Sequence, residues 1–214
     1  MIRRLTLLGL AMTMMAPLSA YADDGQPDWS IDLQAGSYKP RIDSQFTREA
    51  GDVTPPYEQA FGDGSALMIG LAAERHIFRS FGTLSLGLGL AYWNVEGTSV
   101  RPDNSSETDA ADTTEMSIYP LNLQMTYRFD VLSRYFPIVP VARGGIDYYM
   151  WRIFDGAGDV ASFSNGNEAQ GGTAGYHYAI GAHLLLDFLD GEMALDFERD
   201  AGVYNSYITL EYRF

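Results

Sequence analysis

The sequence predicts an all-β protein: an eight-stranded, antiparallel, up-and-down transmembrane β-barrel that follows an N-terminal signal peptide. Three observations lead to this prediction. Apolar residues alternate with small or polar residues through most of the chain after residue 29, which is the period of a strand with two different faces. Long polar connections alternate with short ones, as in outer-membrane barrels, except that the final link at 200–202 is tight. The 214 residues also include 22 Gly and 14 Tyr, and Tyr is enriched in strands.

The first 22 residues have the three parts of a secretory signal peptide. Arg3 and Arg4 form a positive start, an apolar run continues to residue 16, and Pro17 ends it. Ala20 and Ala22 place small residues at both cleavage-determining positions, so cleavage is expected after Ala22. The predicted organisation is therefore a signal peptide at 1–22, a short tail at 23–28 and a barrel at 29–214.

Composition excludes several classes of protein. The net charge of −14 leaves no basic patch for phosphate contacts, so no nucleic-acid partner is expected. The absence of Cys excludes disulfide scaffolds, thiolate zinc sites, thiol nucleophiles and lipoprotein anchoring. Beyond the N-terminus no run of eighteen apolar residues occurs, which argues against membrane-spanning helices.

The alternation defines eight predicted strands. In chain order they contain residues 29–36, 67–74, 83–92, 119–129, 138–151, 176–188, 192–198 and 203–214. The fifth strand has the weakest pattern, and the pair Gly144-Gly145 predicts a bulge there. In the seventh, Met193, Leu195 and Phe197 alternate with polar or small residues. With eight strands, both chain ends lie on the side of the short connections.

Outward aromatic residues are predicted to form two bands, because Tyr and Trp prefer the interface between bilayer and water. A sandwich core would not place aromatic residues at both ends of its strands, so the bands favour the membrane barrel. The band at the short connections contains Trp29, Tyr127, Phe129, Phe188, Tyr212 and Phe214. The band at the long connections contains Tyr92, Tyr119, Tyr148, Tyr176, Tyr178, Phe197 and Tyr204.

The inward residues predict a polar lumen filled by an ionic network. Eight strands enclose a space that side chains can fill, and buried charges must pair or hydrate. Arg128, Arg143 and Arg213 are the expected hubs, since each guanidinium can hold carboxylates in bidentate geometry. The predicted network consists of Asp32, Glu74, Arg128, Arg143, Asp147, His177, His183, Asp187, Asp196, Glu198, Glu211 and Arg213.

Catalytic, metal and cofactor sites are not expected. No Ser lies beside His177 or His183 at a spacing that would place a nucleophile and its base on one face. His177, His183 and Asp187 share a face, but alternating residues of one strand line up along the barrel axis rather than around one point. The acidic loops at 96–114 and 153–172 are typical of solvated surfaces. They could also bind lipid sugars through divalent cations, and Pro55-Pro56-Tyr57 could bind a partner.

The chain resembles small eight-stranded outer-membrane barrels of the OmpA-transmembrane, OmpX and OmpW kind. Tyr212 and Phe214 are similar to the C-terminal aromatic signal of such proteins, although Thr209 replaces its usual Gly. The run from Gly36 to Asp43, followed by 56–58 and 61–62, is similar to outer-membrane barrels of myxobacteria and their relatives. The resemblance implies an integral outer-membrane location, contact with lipids and lipopolysaccharide, recognition by the assembly machinery, and a monomer.

Three functions stay open at this level. The first is a non-enzymatic barrel that contributes to envelope structure or surface interaction through its acidic loops. The second is a small-solute channel, in which the lumen conducts. The third is a lipid A-modifying enzyme that depends on His177 or His183.

Overall fold

A computed structural model describes residues 7–15, 28–42, 56–98, 113–162 and 166–214. The predicted cleavage residues Ala20 and Ala22 lie outside these ranges, as do parts of the three long connections. Within them the strands are β1 (Leu7–Met15), β2 (Trp29–Tyr38), β3 (Ala66–Arg79), β4 (Thr83–Thr98), β5 (Thr113–Arg128), β6 (Ile138–Phe154), β7 (Gln170–Leu185) and β8 (Asn205–Arg213).

Strands β2 to β8 form one antiparallel up-and-down sheet, in which each strand pairs with the next along the chain. These seven strands curl into a half-barrel. The backbone of β1 lies between β2 and β8 and pairs with both, so that with β1 the sheet closes. Most strands have 14 to 17 residues, longer than the roughly ten that cross a bilayer, so their ends extend beyond the predicted bounds.

The described helices lie outside the sheet. They are α1 (Pro56–Phe61), a 3-10 helix (Asp130–Arg134) and α2 (Gly191–Ala201). Among the residues described, we find no helix with the length and apolar character needed to cross a membrane.

In the structure of the full chain the predicted strand at 192–198 is wrong, because these residues form α2. The carboxylate of Asp190 accepts the backbone N–H groups of Glu192 and Met193 and so caps the first turn. Gly202, with a φ of 66°, ends the helix in the left-handed conformation that favours glycine. The two caps outweigh the period-two pattern between them. The described part of 29–214 therefore contains seven strands, and β8 runs in the same direction as β2.

On β3, buried and exposed residues alternate in the way that the sequence pattern predicted. In β3, Met68, Ala72 and Glu74 are buried. Their neighbours Ile69 and Leu71, whose side chains point to the other face, are exposed. The same two-residue rhythm continues through β4, β5 and the first half of β6. Large apolar side chains thus cover the outer face, while buried charged side chains lie on the inner face, which is the reverse of a water-soluble barrel.

The predicted bulge at Gly144-Gly145 is wrong. Pairing with β5 and β7 is continuous through both glycines, and the irregularity within the sheet lies instead between His76 and Phe78. There is no room for a side chain at residue 145. A Cβ there would lie 2.4 Å from the Leu123 carbonyl oxygen and 2.9 Å from the His177 ring. A Cβ on Gly144 would meet only the His177 carbonyl oxygen, at 3.7 Å.

This difference predicts opposite results for two adjacent substitutions. Gly145→Ala should lower the free energy of unfolding by about 1–3 kcal/mol, because the new methyl group overpacks the interior. Gly144→Ala should leave it unchanged or raise it by about 0.5 kcal/mol, since Ala is less flexible when unfolded. Urea unfolding of the two variants in detergent micelles measures both values. Equal effects would contradict the assignment of the two residues to opposite faces.

Candidate functional site

The centre of the interior is an ion cluster around Arg143 of β6. Its Nη2 atom lies 2.7 Å from the Asp32 carboxylate, 3.4 Å from that of Glu211 and 3.7 Å from that of Glu74. The side chains of Arg143, Asp32 and Glu74 are each about 1% exposed. The sequence predicted all four of these residues for the network. Four strands (β2, β3, β6 and β8) are thereby joined through one guanidinium.

Two neutral residues of β5 complete the surroundings of Glu74. Gln124 Nε2 donates to the Glu74 carboxylate over 2.8 Å, and Thr126 Oγ1 donates to the same oxygen over 2.6 Å. Hydrogen bonds of this kind stabilise a buried carboxylate beside its arginine. The sequence pattern assigned no role to Thr126, although the alternation placed its side chain inward.

The interior histidines lie beside carboxylates. His177 Nδ1 is 2.9 Å from the Asp147 carboxylate, which also accepts the Tyr149 hydroxyl at 3.2 Å. His183 Nε2 is 3.9 Å from Glu211, and its ring packs against Tyr207 with 5.5 Å between centroids. Both histidines are buried. Both histidines thus lie on the inner face of the sheet, and each has an acidic neighbour.

Two of the three expected arginine hubs differ from the prediction. Arg128 is buried, and its Nη2 atom lies 2.8 Å from Nε2 of His76 rather than on a carboxylate. Arg213 lies at the end of β8. Within the described ranges, neither Arg128 nor Arg213 comes within salt-bridge distance of a carboxylate, so Arg143 alone is a hub there. Period two assigns a face to an arginine, but it does not give the neighbours across the lumen.

Three predicted network residues lie outside the cluster. Asp196 and Glu198 belong to α2, where both are exposed and Asp196 pairs with Arg199 at 2.9 Å. Asp187 lies in the link between β7 and α2 and accepts the Ser206 backbone N–H at 3.1 Å. Partial burial raises the pKa of the Asp187 carboxyl above its ordinary value, against the opposing effect of that hydrogen bond. These corrections follow from the capped helix that replaces the expected strand.

An apolar cluster, the plug, lies on the inner face of the sheet toward the long connections. Its buried members are Tyr57, Met68, Trp93, Met116 and Ile118. Trp93 is fully buried, and its indole N–H donates to the Tyr38 carbonyl oxygen at 3.1 Å. The third predicted strand ended at Tyr92 and the fourth began at Tyr119, so this plug was not predicted. Continuing the same alternation would have placed Trp93, Met116 and Ile118 inward.

Helix α1 belongs to the plug through Tyr57 and Phe61, whose ring centroids lie 5.2 Å apart. Lys39, directly after β2, pairs with Glu58 of α1 at 3.5 Å and with Asp63 just beyond it. Burial lowers the pKa of Lys39, but the two carboxylates outweigh it and hold the pKa above its ordinary value. These ion pairs connect the start of the long connection at 39–64 to its last described residues. Helix α1 packs on the plug.

Most predicted band residues lie on the outer surface of the sheet, but their distribution differs from the prediction. Phe197 is in α2, and Phe188 and Tyr204 lie in the links on either side of it. Phe214 stacks on Tyr178 with 4.9 Å between centroids and contacts Tyr212 at 4.5 Å. Tyr212 and Phe214 therefore join the residues of the long-connection band, because one strand fewer reverses the direction of β8. Trp29, Tyr92, Tyr119, Tyr127, Phe129, Tyr148 and Tyr176 lie on strands or at their ends as expected.

Several interior polar atoms have no hydrogen-bond partner among the residues that the structure describes. They include Nε and Nη1 of Arg143, Nε2 of His177 and both ring nitrogens of His183. Groups of this kind are ordinarily satisfied by bound water. The described residues contain no group of three or more His, Asp or Glu that could hold a metal ion. The interior thus contains buried ion pairs and polar groups that can bind water.

No protein-family model matches this chain, and no curated protein matches it. The resemblance to small outer-membrane barrels therefore stays a prediction from the strand pattern and the C-terminal residues. The fold itself is an all-antiparallel sheet curled as in a β-barrel.

Proposed function

We propose that this protein is a non-enzymatic, integral outer-membrane β-barrel. Its mature form has eight strands and a polar, plugged lumen. It contributes to envelope structure or surface interaction through its acidic extracellular loops. The N-terminal 22 residues direct export and are then removed. Outer-membrane lipids, lipopolysaccharide and the assembly machinery are its partners, and the mature chain is a monomer.

One observation carries the proposal: the outer wall is apolar while ions and hydroxyl groups are buried. Leu88 is 68% exposed, Leu67 60% and Ile180 58%, whereas Asp32, Glu74 and Arg128 are each 1% exposed. Water would disfavour this arrangement by about 25 cal/mol for every Å² of exposed apolar surface. Hydrocarbon favours it, because a sheet can cross a bilayer when its backbone groups are paired around a barrel.

The plugged lumen is supported at two levels. The plug around Trp93 lies toward the long connections, and the ion cluster around Arg143 joins strands across the space below it. A small-solute channel is the second candidate. The unpartnered polar atoms of Arg143, His177 and His183 favour it, since they call for water inside the barrel.

Fractionation of a Gram-negative host that produces the full chain tests the membrane location. We expect the protein in the outer-membrane fraction, resistant to carbonate extraction, with Asp23 as its first residue by mass spectrometry. A folded barrel should also migrate differently on gels before and after boiling. A monodisperse protein in the periplasmic extract, without detergent, would disprove the proposal.

Measurements of ion conductance distinguish the plugged barrel from the small-solute channel. In a planar bilayer, the plugged barrel should give no steady unitary current. A reproducible current that increases when Trp93 is replaced by Ala would favour the channel instead, because Trp93 is the largest fully buried side chain in the described residues.

A further inference from the structure

The strand β1 occupies a binding site for an extended segment. The backbone of Met12 lies opposite Leu33 of β2 on one side and opposite Ile208 of β8 on the other. Residues 7–15 therefore pair with the whole of β8, and residues 9–14 pair with 31–36 of β2. They also belong to the apolar part of the proposed leader. If the leader is removed, the segment that closes the sheet is removed with it.

Without β1, the edges of β2 and β8 cannot form an antiparallel pair with each other. Both β2 and β8 are antiparallel to β1, so they run in the same direction. Direct pairing between them would be parallel, unlike every other pair in this sheet. Leaving them unpaired would expose rows of N–H and C=O groups, which hydrocarbon does not tolerate. The processed chain needs another strand for this position.

The segment of α2 has the pattern to supply an additional strand. No side chain of α2 is buried, and Met193, Leu195 and Phe197 are 55%, 66% and 51% exposed. Residues two apart on a helix point about 200° apart, so Leu195 faces away from the other two. In a strand, all three share one face. Asp190-Gly191 and the residues 200–202 on either side are suited to tight turns.

We infer that removal of the leader causes a strand exchange in the C-terminal segment. Residues 192–198 become a strand in the present position of β8, beside β7. The segment of β8 reverses its direction and takes the present position of β1, beside β2. Every pair is then antiparallel, the mature chain has eight strands, and Phe214 lies at the end where β2 begins.

The interior charges are compatible with this exchange. Among the described residues, Arg128 and Arg213 have no carboxylate within salt-bridge distance. As a strand with its apolar residues outward, 192–198 would turn Asp196 and Glu198 toward the lumen. The exchange thus adds carboxylates to an interior that contains two such arginines. It depends on the leader cleavage of the proposed function.

Engineered disulfides can test the exchange, because the chain has no Cys. Ala182 of β7 lies directly opposite Leu210 of β8, so Ala182→Cys with Leu210→Cys reports the present arrangement. If Phe214 comes to lie opposite Trp29, Leu210 comes to lie opposite Leu33, and Leu33→Cys with Leu210→Cys reports the exchanged one. In each arrangement the other pair is two strands apart, about 10 Å, which is too far for a disulfide.

Both pairs are introduced into the full chain and produced in a Gram-negative host. The matched control carries Ala20→Arg and Ala22→Arg as well, which block cleavage, and it is refolded in micelles. Mass spectrometry identifies the first residue and the disulfide. We expect the processed chain to form the 33–210 disulfide roughly tenfold more than the 182–210 disulfide, and the uncleaved control to show the reverse.

A processed chain that forms mainly the 182–210 disulfide would overturn the exchange, as would the same product from both chains. A chain that reaches the outer membrane with residues 1–22 still attached would overturn it too. The mass of that chain identifies the failure as one of the proposed leader. A failure of the proposed membrane location is recognised separately, in the fractionation.

Discussion

Replacing Arg143 by Leu is expected to lower the free energy of unfolding by about 3–5 kcal/mol, the cost of removing one partner from a buried ion cluster. The substitution leaves Asp32, Glu74 and Glu211 without their shared guanidinium. Two of these carboxylates are about 1% exposed, so water cannot replace the lost contacts. The midpoint of urea unfolding in micelles at neutral pH measures the effect.

Arg152→Leu is the matched control, since Arg152 lies on the same strand and its side chain is exposed. This change should alter the unfolding free energy by less than about 1 kcal/mol. Arg143→Lys should give an intermediate loss, because an ammonium keeps the charge but not the planar fork. Equal losses at residues 143 and 152 would contradict the central role of Arg143.

The loss in Arg143→Leu should become smaller in acid. Protonation removes the mutual repulsion of the three carboxylates, and a neutral carboxyl group is less costly to bury than a carboxylate. The difference in unfolding free energy between Arg143→Leu and the original protein should therefore decrease as the pH falls from 7 toward 4. A difference that stays constant would indicate that Arg143 acts through packing of its side chain and not through its charge.

The faces of the strands could be predicted because burial in this sheet follows a local rule. Leu86 and Leu88 are outward and Gly87 is inward simply because neighbouring side chains of a strand point to opposite faces. The same rule placed Asp32, Glu74, Arg143 and His177 inside. No information about distant parts of the chain was needed for these assignments.

The segment at 191–201 shows where the local rule failed. Its apolar residues fit a strand, while Asp190 and Gly202 fit the two ends of a helix. Both signals are local, and the sequence does not state which of them prevails. The choice also fixes the number of strands and thereby the direction of β8. Because residues 191–201 form a helix and not a strand, Tyr212 and Phe214 lie at the long connections and not at the short ones.

The partners within the lumen could not be predicted for a different reason. Arg143 contacts residues of β2, β3 and β8, which are separated from it by many tens of residues along the chain. Such contacts depend on the register of every strand between them. Period two gives the face of each residue, but the register across the barrel gives its neighbours.

Replacing Leu88 by Arg tests what surrounds the wall. Leu88 is 68% exposed and pairs with Ala73 of β3 and Leu123 of β5 on its two sides. If lipid covers this surface, Leu88→Arg should lower the free energy of unfolding in vesicles by about 2–4 kcal/mol, the cost of a cation near the middle of a bilayer. If water covers it, the same change should stay within about 0.5 kcal/mol, as is usual for exposed residues.

Thr98→Arg on the same strand provides the matched comparison. Thr98 is exposed at the far end of β4, ten residues beyond Leu88 and on the same face, so an arginine there should reach the aqueous interface. Its cost should fall to about 0–1 kcal/mol. A large loss at residue 88 with a small loss at residue 98 is the depth dependence that a bilayer imposes. Equal and small losses at both would mean that the apolar wall of this sheet is covered by something other than lipid.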